Sequence, residues 1–210
     1  MRIAICGGTF DPFHRGHLEP VLAVRDQMGW GRVLFMPAYV QPFKRDRETA
    51  SGYHRFAMAA MATRDHDGIY IASHELERGA VSYTVDTLRQ LRSEHPDAIF
   101  DWIVGDDNLA QLLAWKAIDE IFELANVAVL RRSEVTLEPT DLPDALRARV
   151  ADASSHPKQG AIVFASNPQV VVSSTDIRRR VAAGQPIDAL VDPQVSRYIH
   201  HYALYRKGQA

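Results

Sequence analysis

The sequence GGTFDPFHRGH, residues 7–17, follows the short apolar run Ile3–Cys6 and leads into a segment with helical spacing of its apolar residues. A glycine pair after a strand and before a helix is typical of the first turn of a sheet whose strands alternate with helices. In an open sheet of this kind, ligands bind beyond the carboxyl ends of the strands. The stretch therefore predicts an α/β fold and the edge of the sheet at which a ligand site lies.

Short apolar runs rich in β-branched residues alternate with longer amphipathic segments along the first 172 residues. The predicted strands are Ile3–Cys6, Arg32–Met36, Ile69–Ala72, Ile99–Val104, Val127–Leu130 and Ile162–Ala165. The predicted helices are Leu18–Met28, Tyr53–Thr63, Thr84–Glu94 and Asn108–Leu124. This alternation predicts a Rossmann-like fold, which is an open, mostly parallel sheet with helices on both faces.

A small helical extension without a strand is predicted from Ser173 onward. Ser174 can cap its first helix and Gly184 can end it, while Asp192 and Pro193 can start a second helix. Residues 138–158 read as a peripheral helix flanked by loops. We expect one domain over residues 1–210, with an α/β core at 1–172 and the helical part at 173–210.

Composition excludes several classes of partner. The 210 residues carry a formal net charge of −2, which lacks the basic excess of proteins that bind nucleic acid and suits a small charged ligand better. No apolar run approaches the length of a membrane span, and the four apolar residues before Gly7 are too few for a signal peptide. We expect a cytoplasmic protein that binds no membrane. The apolar helix faces suit a homo-oligomer as well as a monomer.

The opening stretch can bind phosphate. Glycines allow a close approach of the backbone, the next amides are donors, and a helix N-terminus favours an anion. Two histidines three residues apart can point to the same side of the helix start and donate to phosphate oxygens. The predicted phosphate-binding residues of the stretch are Gly7, Gly8, Thr9, Phe10, His14 and His17. A glycine pair alone would favour a simple tight turn, and the histidines shift the balance towards a site.

Three other kinds of site that contain glycine or histidine have sequence patterns of their own. Neither the G-x-G-x-x-G pattern of hydride-transfer enzymes nor the G-x-x-x-x-G-K-[ST] phosphate loop is present. A zinc site would need more ligands than His14 and His17. The single cysteine and the lack of H-E-x-x-H disfavour zinc, although seven other histidines leave it open.

Four segments together resemble one family. GGTFDPFHRGHL resembles the signature of the nucleotidyltransferase superfamily with an H-x-G-H element, here residues 14–17. The segments ELERGAVSYTVDTL at 75–88, IVGDDNLAQLLAW at 103–115 and SSTDIR at 173–178 resemble those of the bacterial nicotinate-nucleotide adenylyltransferases, in the same order. The resemblance implies transfer of AMP from ATP to nicotinate mononucleotide, giving deamido-NAD and pyrophosphate in NAD biosynthesis, with Mg²⁺ bound through the substrate phosphates.

The resemblance also implies roles for individual residues. Those expected at the reacting phosphates are His14, His17, Lys44 and Arg178, with His17 nearest the α-phosphate. Further ATP-binding residues are Gly105, Asp107, Ser173, Ser174 and Thr175, with Asp107 at the ribose or the metal. The mononucleotide is expected at Tyr83, Thr84, Trp115 and Lys44, with Trp115 stacked on the pyridine ring. Asp106 is expected to be a loop carboxylate. The attacking group is the mononucleotide phosphate, so no covalent serine or cysteine is needed.

Plainer interpretations stand beside these roles. Trp115 at helical spacing would otherwise be core, and Ser174 and Thr175 would otherwise be capping residues. Where many family members read Pro-Pro-His-Lys, this chain has Phe43 in place of the histidine, so Lys44 alone must supply the positive charge of that loop. Two alternative functions are compatible with the first signature. One is another transferase of the same superfamily, such as a pantetheine-phosphate adenylyltransferase or a cytidylyltransferase. The other is a protein that binds a nucleotide without turnover.

Overall fold

The computed structural model describes residues 1–44, 48–109, 111–132 and 138–206, and of Lys44 it describes only the backbone. Six strands form one sheet in the order β3-β2-β1-β4-β5-β6, and every neighbouring pair is parallel. The strands are β1 Arg2–Gly8, β2 Arg32–Pro37, β3 Ile69–Ile71, β4 Ile99–Gly105, β5 Asn126–Leu130 and β6 Ile162–Phe164. The predicted fold class is confirmed, because this strand order is that of the Rossmann fold.

Helices connect the strands and cover the sheet. In the described residues they are α1 Arg15–Val24, α2 Gly52–Thr63, α3 His74–Arg78, α4 Thr84–Glu94, α5 Asp106–Leu109, α6 Ile118–Leu124, α7 Asp144–Arg147, α8 Ser174–Ala182 and α9 Pro193–His201. Alternate residues of the strands point to opposite faces. Ile3 and Ile5 of β1 join the apolar cluster of α4 and α6, whereas Ala4 joins the cluster of α1 and α2. Both faces are therefore buried, as the continuous apolar runs predict.

The C-terminal helices form a third apolar cluster with α2. Ile177 of α8 and Val195 and Ile199 of α9 are fully buried beside Met58 of α2. Gly184 ends α8 in the left-handed conformation with a φ of 68°. Asp192 caps α9 by accepting a hydrogen bond from the amide of Gln194 at 2.7 Å. The predicted helical extension and the signals at these helix ends are confirmed.

The prediction of one continuous helix over Asn108–Leu124 is wrong. Its residues form α5, a single 3₁₀ turn at Leu112–Ala114 and α6. Trp115 is extended and Ala117 has a φ of 51°, so the chain turns twice between the pieces. Apolar residues of all three pieces pack on one cluster, and their spacing imitates that of a continuous helix.

Several helices and strands begin or end at other residues than the sequence predicts. The glycine pair belongs to β1 rather than to the loop after it. Helix α1 begins at Arg15 instead of Leu18, since His14 is its N-cap. Ser173, not Ser174, caps α8 by accepting from the amide of Asp176 at 3.1 Å. The helix predicted within 138–158 is the single turn α7, between 3₁₀ turns at Pro139–Asp141 and Ala153–Ser155. Within the described ranges, no helix is both long and apolar enough to cross a membrane.

Candidate active site

A cavity of about 360 Å³ opens at the carboxyl ends of β1 and β4. Seven of the predicted site residues line it, and they come from three of the four segments that carry the resemblance. These residues are Gly7, Gly8, His17, Tyr83, Thr84, Gly105 and Trp115. The edge of the sheet that the opening motif predicts is thus the edge at which the cavity lies.

The glycine pair is packed against aromatic rings. A Cβ atom on Gly7 would lie 2.8 Å from Cζ2 of Trp102, and one on Gly8 would lie 2.9 Å from the ring of Phe10. Phe10 itself has a φ of 53° and is buried. A side chain at Gly7 would therefore displace the ring of Trp102 from the cavity wall, and one at Gly8 would displace the buried ring of Phe10. Thr9 next to them donates from its hydroxyl to Oε1 of Gln41 at 3.0 Å, which joins the loops after β1 and β2.

The two histidines form a stacked pair at the start of α1. Their ring centroids are 3.6 Å apart, with an angle of 23° between the planes. The amide of His14 donates to Nδ1 of His17 at 3.2 Å, so a neutral His17 carries its proton on Nε2. Phe10 and Phe13 pack against the ring of His17. The spacing correctly predicts that both rings lie on the same side.

His14 is the buried member of this pair and is 3% exposed. Its Nδ1 has no hydrogen-bond partner among the described residues. Burial, helped by the positive charge of Arg132, lowers the pKa of His14 from 6.5 to about 3. A charged imidazole would lie in a poorly solvated position and against a second ring. His14 is therefore neutral at physiological pH.

The buried neutral His14 makes stability depend on pH. The unfolded chain binds a proton at His14 below pH 6.5, whereas the folded chain binds one only near pH 3, so this stability is complete above pH 6.5 and is lost as the pH falls towards 3. We expect a loss of about 2 kcal/mol between pH 7 and pH 5 from this group. Urea unfolding at both pH values measures it for the wild type, for His14→Gln and for the exposed control His200→Gln.

His14→Gln should lose this part of the pH dependence and His200→Gln should keep it. Equal pH dependence in all three proteins would contradict the assignment. If His14→Gln does not fold, the ring carbon shifts of His14 in the wild type give the same answer. They should stay constant between pH 7 and pH 5.

The second signature lies against the opening loop rather than on the cavity wall. Nη1 of Arg178 donates to the carbonyl oxygen of Asp11 at 2.6 Å, and Nη2 donates to Oγ1 of Thr175 at 3.2 Å. The hydroxyl of Ser174 donates to the carbonyl oxygen of Pro12 at 3.1 Å. These contacts bring the start of α8 to the loop that carries the histidines. The side chain of Lys44 lies outside the described residues.

The two aspartates after β4 differ in their surroundings. Asp106 is 6% exposed, and its Oδ1 accepts from the amides of Asp107 at 2.9 Å and Arg132 at 3.0 Å. The expectation of a loop carboxylate is therefore wrong for Asp106, which is buried at the start of α5 and connects β4 to the segment after β5. Asp107 is exposed beside it. A Cβ atom on Gly105 would overlap Oδ1 of Asp107 and lie 2.6 Å from Cδ of Arg132, so both side chains would have to move to admit it.

Three charged residues of the cavity wall were not predicted from the sequence. They are Glu75, Lys116 and Arg132. Nζ of Lys116 lies 4.5 Å from the ring centroid of Tyr83 and 2.9 Å from Oδ2 of Asp86. Arg132 follows β5, and a cation after the carboxyl end of a parallel strand is the signal that could have identified it. Lys116 could have been found as the neighbour of Trp115.

Glu75 connects the wall to two loops. It is 2% exposed, and its Oε1 accepts from the hydroxyl of Thr87 at 2.8 Å. Burial raises the pKa of its carboxyl group, while hydrogen bonds from Thr87 and Ser82 oppose the shift. The hydroxyl oxygen of Ser82 accepts from the amide of Tyr39 at 3.0 Å, so this buried cluster joins the loop after β2 to the start of α4.

The only cysteine of the chain is not an activated nucleophile. Cys6 is on the wall, but burial raises the pKa of its thiol to about 12 against the opposing charge of Arg132, so it stays protonated. Among the residues that the structure describes, no group of three or more His, Cys, Asp or Glu side chains could hold a metal ion. The wall offers hydrogen-bond donors, two cations and aromatic faces, which suit a bound nucleotide.

The chain is similar in sequence to proteins of a known family. Residues 5–180 match the family described as cytidylyltransferase-like. A protein of Chromobacterium violaceum named a probable nicotinate-nucleotide adenylyltransferase is 37% identical over 210 residues, which cover 98% of this chain and 99% of the relative. A protein of Streptomyces coelicolor with the same name is 36% identical over 200 residues, covering 95% and 98% of the two chains.

Solved structures share the fold. The nicotinic acid mononucleotide adenylyltransferase of Plasmodium falciparum, solved in complex with NaAD, superposes with a TM-score of 0.72 at 16% identity and covers 97% of each chain. The same protein in complex with APC also gives a TM-score of 0.72 and covers 97% of this chain and 96% of its own. At this identity the likeness concerns the arrangement of the strands and helices.

Proposed function

We propose that this chain, which belongs to the cytidylyltransferase-like family and within it to the nicotinate-nucleotide adenylyltransferases, transfers AMP from ATP to nicotinate mononucleotide. The products are deamido-NAD and pyrophosphate, and the reaction is a step of NAD biosynthesis. The protein is accordingly an enzyme of the nucleotidyltransferase class. The observation that carries the proposal is a cavity with His17 at one part of its wall and Tyr83 and Trp115 at another.

The substrate itself supplies the nucleophile, which is a phosphate oxygen of the mononucleotide. The enzyme must then align two polyanions and stabilise the negative charge that moves to the leaving pyrophosphate. Nε2 of His17 would donate to the α-phosphate, while His14 beneath it holds the ring of His17 by stacking. The Nε2 hydrogen of His17 remains available as a donor because its Nδ1 accepts from the amide of His14.

Cations from separate segments would hold the remaining phosphates. Arg178, anchored on the carbonyl of Asp11, and the side chain at Lys44 are proposed for the β- and γ-phosphates or for the phosphate of the mononucleotide. Arg132 adds a charge at the cavity wall. The start of α8 at Ser173, Ser174 and Thr175 would contribute amide and hydroxyl donors to ATP, as helix N-termini do for anions.

The remaining site residues are proposed for the other groups of the substrates. The backbone of Gly7 to Phe10 would run along ATP, with Gly7 and Gly8 on the cavity wall. Gly105 on the wall and the exposed Asp107 after it would bind at the ribose. Trp115 would stack on the pyridine ring beside Tyr83 and Thr84. We further propose Mg²⁺ as the cation, held by substrate oxygens because the described residues offer no cage for it. When bound, it would neutralise charge on the phosphates.

The start of α4 should favour the acid form of the pyridine nucleotide. Helix α4 begins at Thr84, so its positive end and the ammonium group of Lys116 lie at this part of the cavity. We expect kcat/KM for nicotinate mononucleotide to exceed that for nicotinamide mononucleotide by at least about 10-fold, as a charged hydrogen bond would provide. Steady-state kinetics with each substrate measures the ratio.

Two variants separate a local effect from a general change of charge. Lys116 and Arg89 both form an ion pair with Asp86, but only Lys116 also lines the cavity. Lys116→Gln should lower the preference for the acid, and Arg89→Gln should leave it unchanged. Comparable kcat/KM values for the two mononucleotides in the wild type would contradict the proposed position of the ring.

A panel assay tests the function as a whole. ATP or CTP is offered with nicotinate mononucleotide, nicotinamide mononucleotide or 4′-phosphopantetheine, and pyrophosphate release is measured with Mg²⁺ present. Turnover should be fastest with ATP and nicotinate mononucleotide. A preference for CTP or for phosphopantetheine would assign a different transferase, and binding of ATP without pyrophosphate release in any combination would indicate a non-catalytic module.

A further inference from the structure

A hydrogen bond from Tyr205 connects the end of the C-terminal segment to the opening loop. The hydroxyl of Tyr205 donates to Oδ1 of Asp11 at 2.7 Å, across 194 residues of sequence. Asp11 is 3% exposed and lies between the glycine pair and the histidines. Its Oδ1 also accepts from the amide of Ala50 at 3.2 Å. The carboxylate is thus held by donors from two distant segments.

Asp11 is also the residue that holds Arg178. Nη1 of Arg178 lies 2.6 Å from the carbonyl oxygen of Asp11 and 3.7 Å from its Oδ2. That Oδ2 is buried and has no hydrogen-bond partner in the described part of the chain. The orientation of the carboxylate therefore depends on the hydrogen bonds from Tyr205 and Ala50 at Oδ1. Asp11 and the hydroxyl of Thr175 together position the guanidinium group.

The buried cation Arg55 connects the surrounding loops through hydrogen bonds. Arg55 is 2% exposed, and its guanidinium group donates to the carbonyl oxygens of Thr9 at 2.6 Å, Ala38 at 2.7 Å and Ala50 at 3.0 Å. These contacts tie the loop after β1 to the loop after β2 and to the start of α2. A change at Asp11 would consequently be transmitted to Arg178 instead of being absorbed by movement of the loop.

The chain adopts unusual backbone geometry to bring Tyr205 to this position. Helix α9 ends at His201, and Ala203 and Tyr205 then have φ values of 52° and 64°. Residues other than glycine rarely adopt this conformation unless the surrounding structure holds them there. Tyr205 also packs on the apolar cluster of α2, α8 and α9. Burial and the neighbouring carboxylate raise the pKa of its phenol, so it remains a donor.

We propose that Tyr205 is a positioning residue: its hydroxyl orients the carboxylate of Asp11, and Asp11 in turn fixes the guanidinium group of Arg178 for the phosphates. The inference rests on the proposed function, which places Arg178 at the substrates. It assigns a role in activity to a residue of the C-terminal segment that does not line the cavity.

Two matched substitutions and one double substitution test the role. Tyr205→Phe removes the hydroxyl that binds Asp11, and Tyr198→Phe removes a hydroxyl 2.9 Å from Nδ1 of His54 on the same apolar cluster. We expect Tyr205→Phe to lower kcat/KM for ATP by about 10-fold, the scale of a buried hydrogen bond to a charged group, and Tyr198→Phe to leave it unchanged. In an Arg178→Gln background, Tyr205→Phe should lower kcat/KM less than twofold.

Each outcome decides for or against the role. Equal losses from Tyr205→Phe with and without Arg178 would assign the residue to general stability and overturn the proposal, as would an undiminished kcat/KM in Tyr205→Phe. If the wild type has no adenylyltransferase activity on nicotinate mononucleotide, the proposed function fails separately. The same cycle is then measured with the dissociation constant of ATP, where the absence of coupling between Tyr205 and Arg178 would overturn the positioning role.

Discussion

Substituting asparagine for His17 should lower kcat at saturating substrates by about 10²- to 10³-fold, the usual cost of removing one donor to a developing charge. The asparagine keeps an oxygen near the position of Nδ1, where the amide of His14 donates at 3.2 Å, and removes the Nε2 proton. The start of α1 should therefore stay intact while the donor to the α-phosphate is lost. Pyrophosphate release under saturating ATP and nicotinate mononucleotide measures the effect.

Two further variants make this result specific. His17→Ala removes both nitrogens and should lose at least as much activity, together with some stability of the start of α1. His200→Ala alters an exposed histidine of α9 and should retain the kcat of the wild type. A kcat within a few-fold of the wild type in folded His17→Asn would place the α-phosphate elsewhere in the cavity.

The strands could be predicted from the sequence because the sheet is buried on both faces. Each of the six strands then appears as an apolar run with little alternation, and all six were identified. The segment between β4 and β5 misled the same reasoning. Leu109, Leu112 and Ile121 are buried in one cluster, so their spacing resembles that of one helix. Ala117, however, has a left-handed backbone conformation, which interrupts the helix between them. Burial determines the apolar spacing, and the backbone path between the buried positions is set by packing.

The residues of the site could likewise be predicted only in part. Residues with a local pattern, such as the glycine pair, His17 and the Tyr83–Thr84 pair, are on the cavity wall as predicted. Lys116 and Arg132 give only a weak sequence signal, namely their positions beside Trp115 and after β5, since a single charged residue in a sequence usually lies on the surface. Parallel pairing of β4 with β5 brings Arg132 beside Asp106, and that proximity exists only in the folded chain.

A buried ion pair stabilises the opposite edge of the sheet. Asp101 in the first half of β4 is 1% exposed, and its carboxylate accepts from Nη1 of Arg2 at 2.8 Å. It also accepts from Nε1 of Trp30 at 2.7 Å and from Nδ2 of Asn126 at 2.8 Å. Neither Asp101 nor these three partners line the cavity. The carboxylate is nearly inaccessible to water and is the only negative charge among these groups, while Arg2 and Asn126 also donate to the carbonyl oxygen of Pro157.

Asp101→Ala should therefore lower the free energy of unfolding by about 3–5 kcal/mol, because it leaves the guanidinium group of Arg2 buried without its counter-charge. Chemical unfolding at pH 7 measures this loss. Asp144→Ala removes the exposed partner of Arg147 and serves as the control, with a far smaller change expected. If Asp101→Ala does not fold, Asp101→Asn, which keeps the size of the side chain but loses the charge, should show a reduced loss of the same sign.

The activity of Asp101→Asn separates stability from catalysis. Asp101 lies near the amino end of β4 and Gly105 at its carboxyl end, where the cavity opens, so the parallel strands place the two functions at opposite edges of one sheet. The folded variant should keep the kcat and both KM values of the wild type below its unfolding transition. An unchanged unfolding free energy would show that solvent reaches Arg2 and that the pair is not buried in solution. A lowered kcat in fully folded protein would show that the packing of β4 transmits the change to the site.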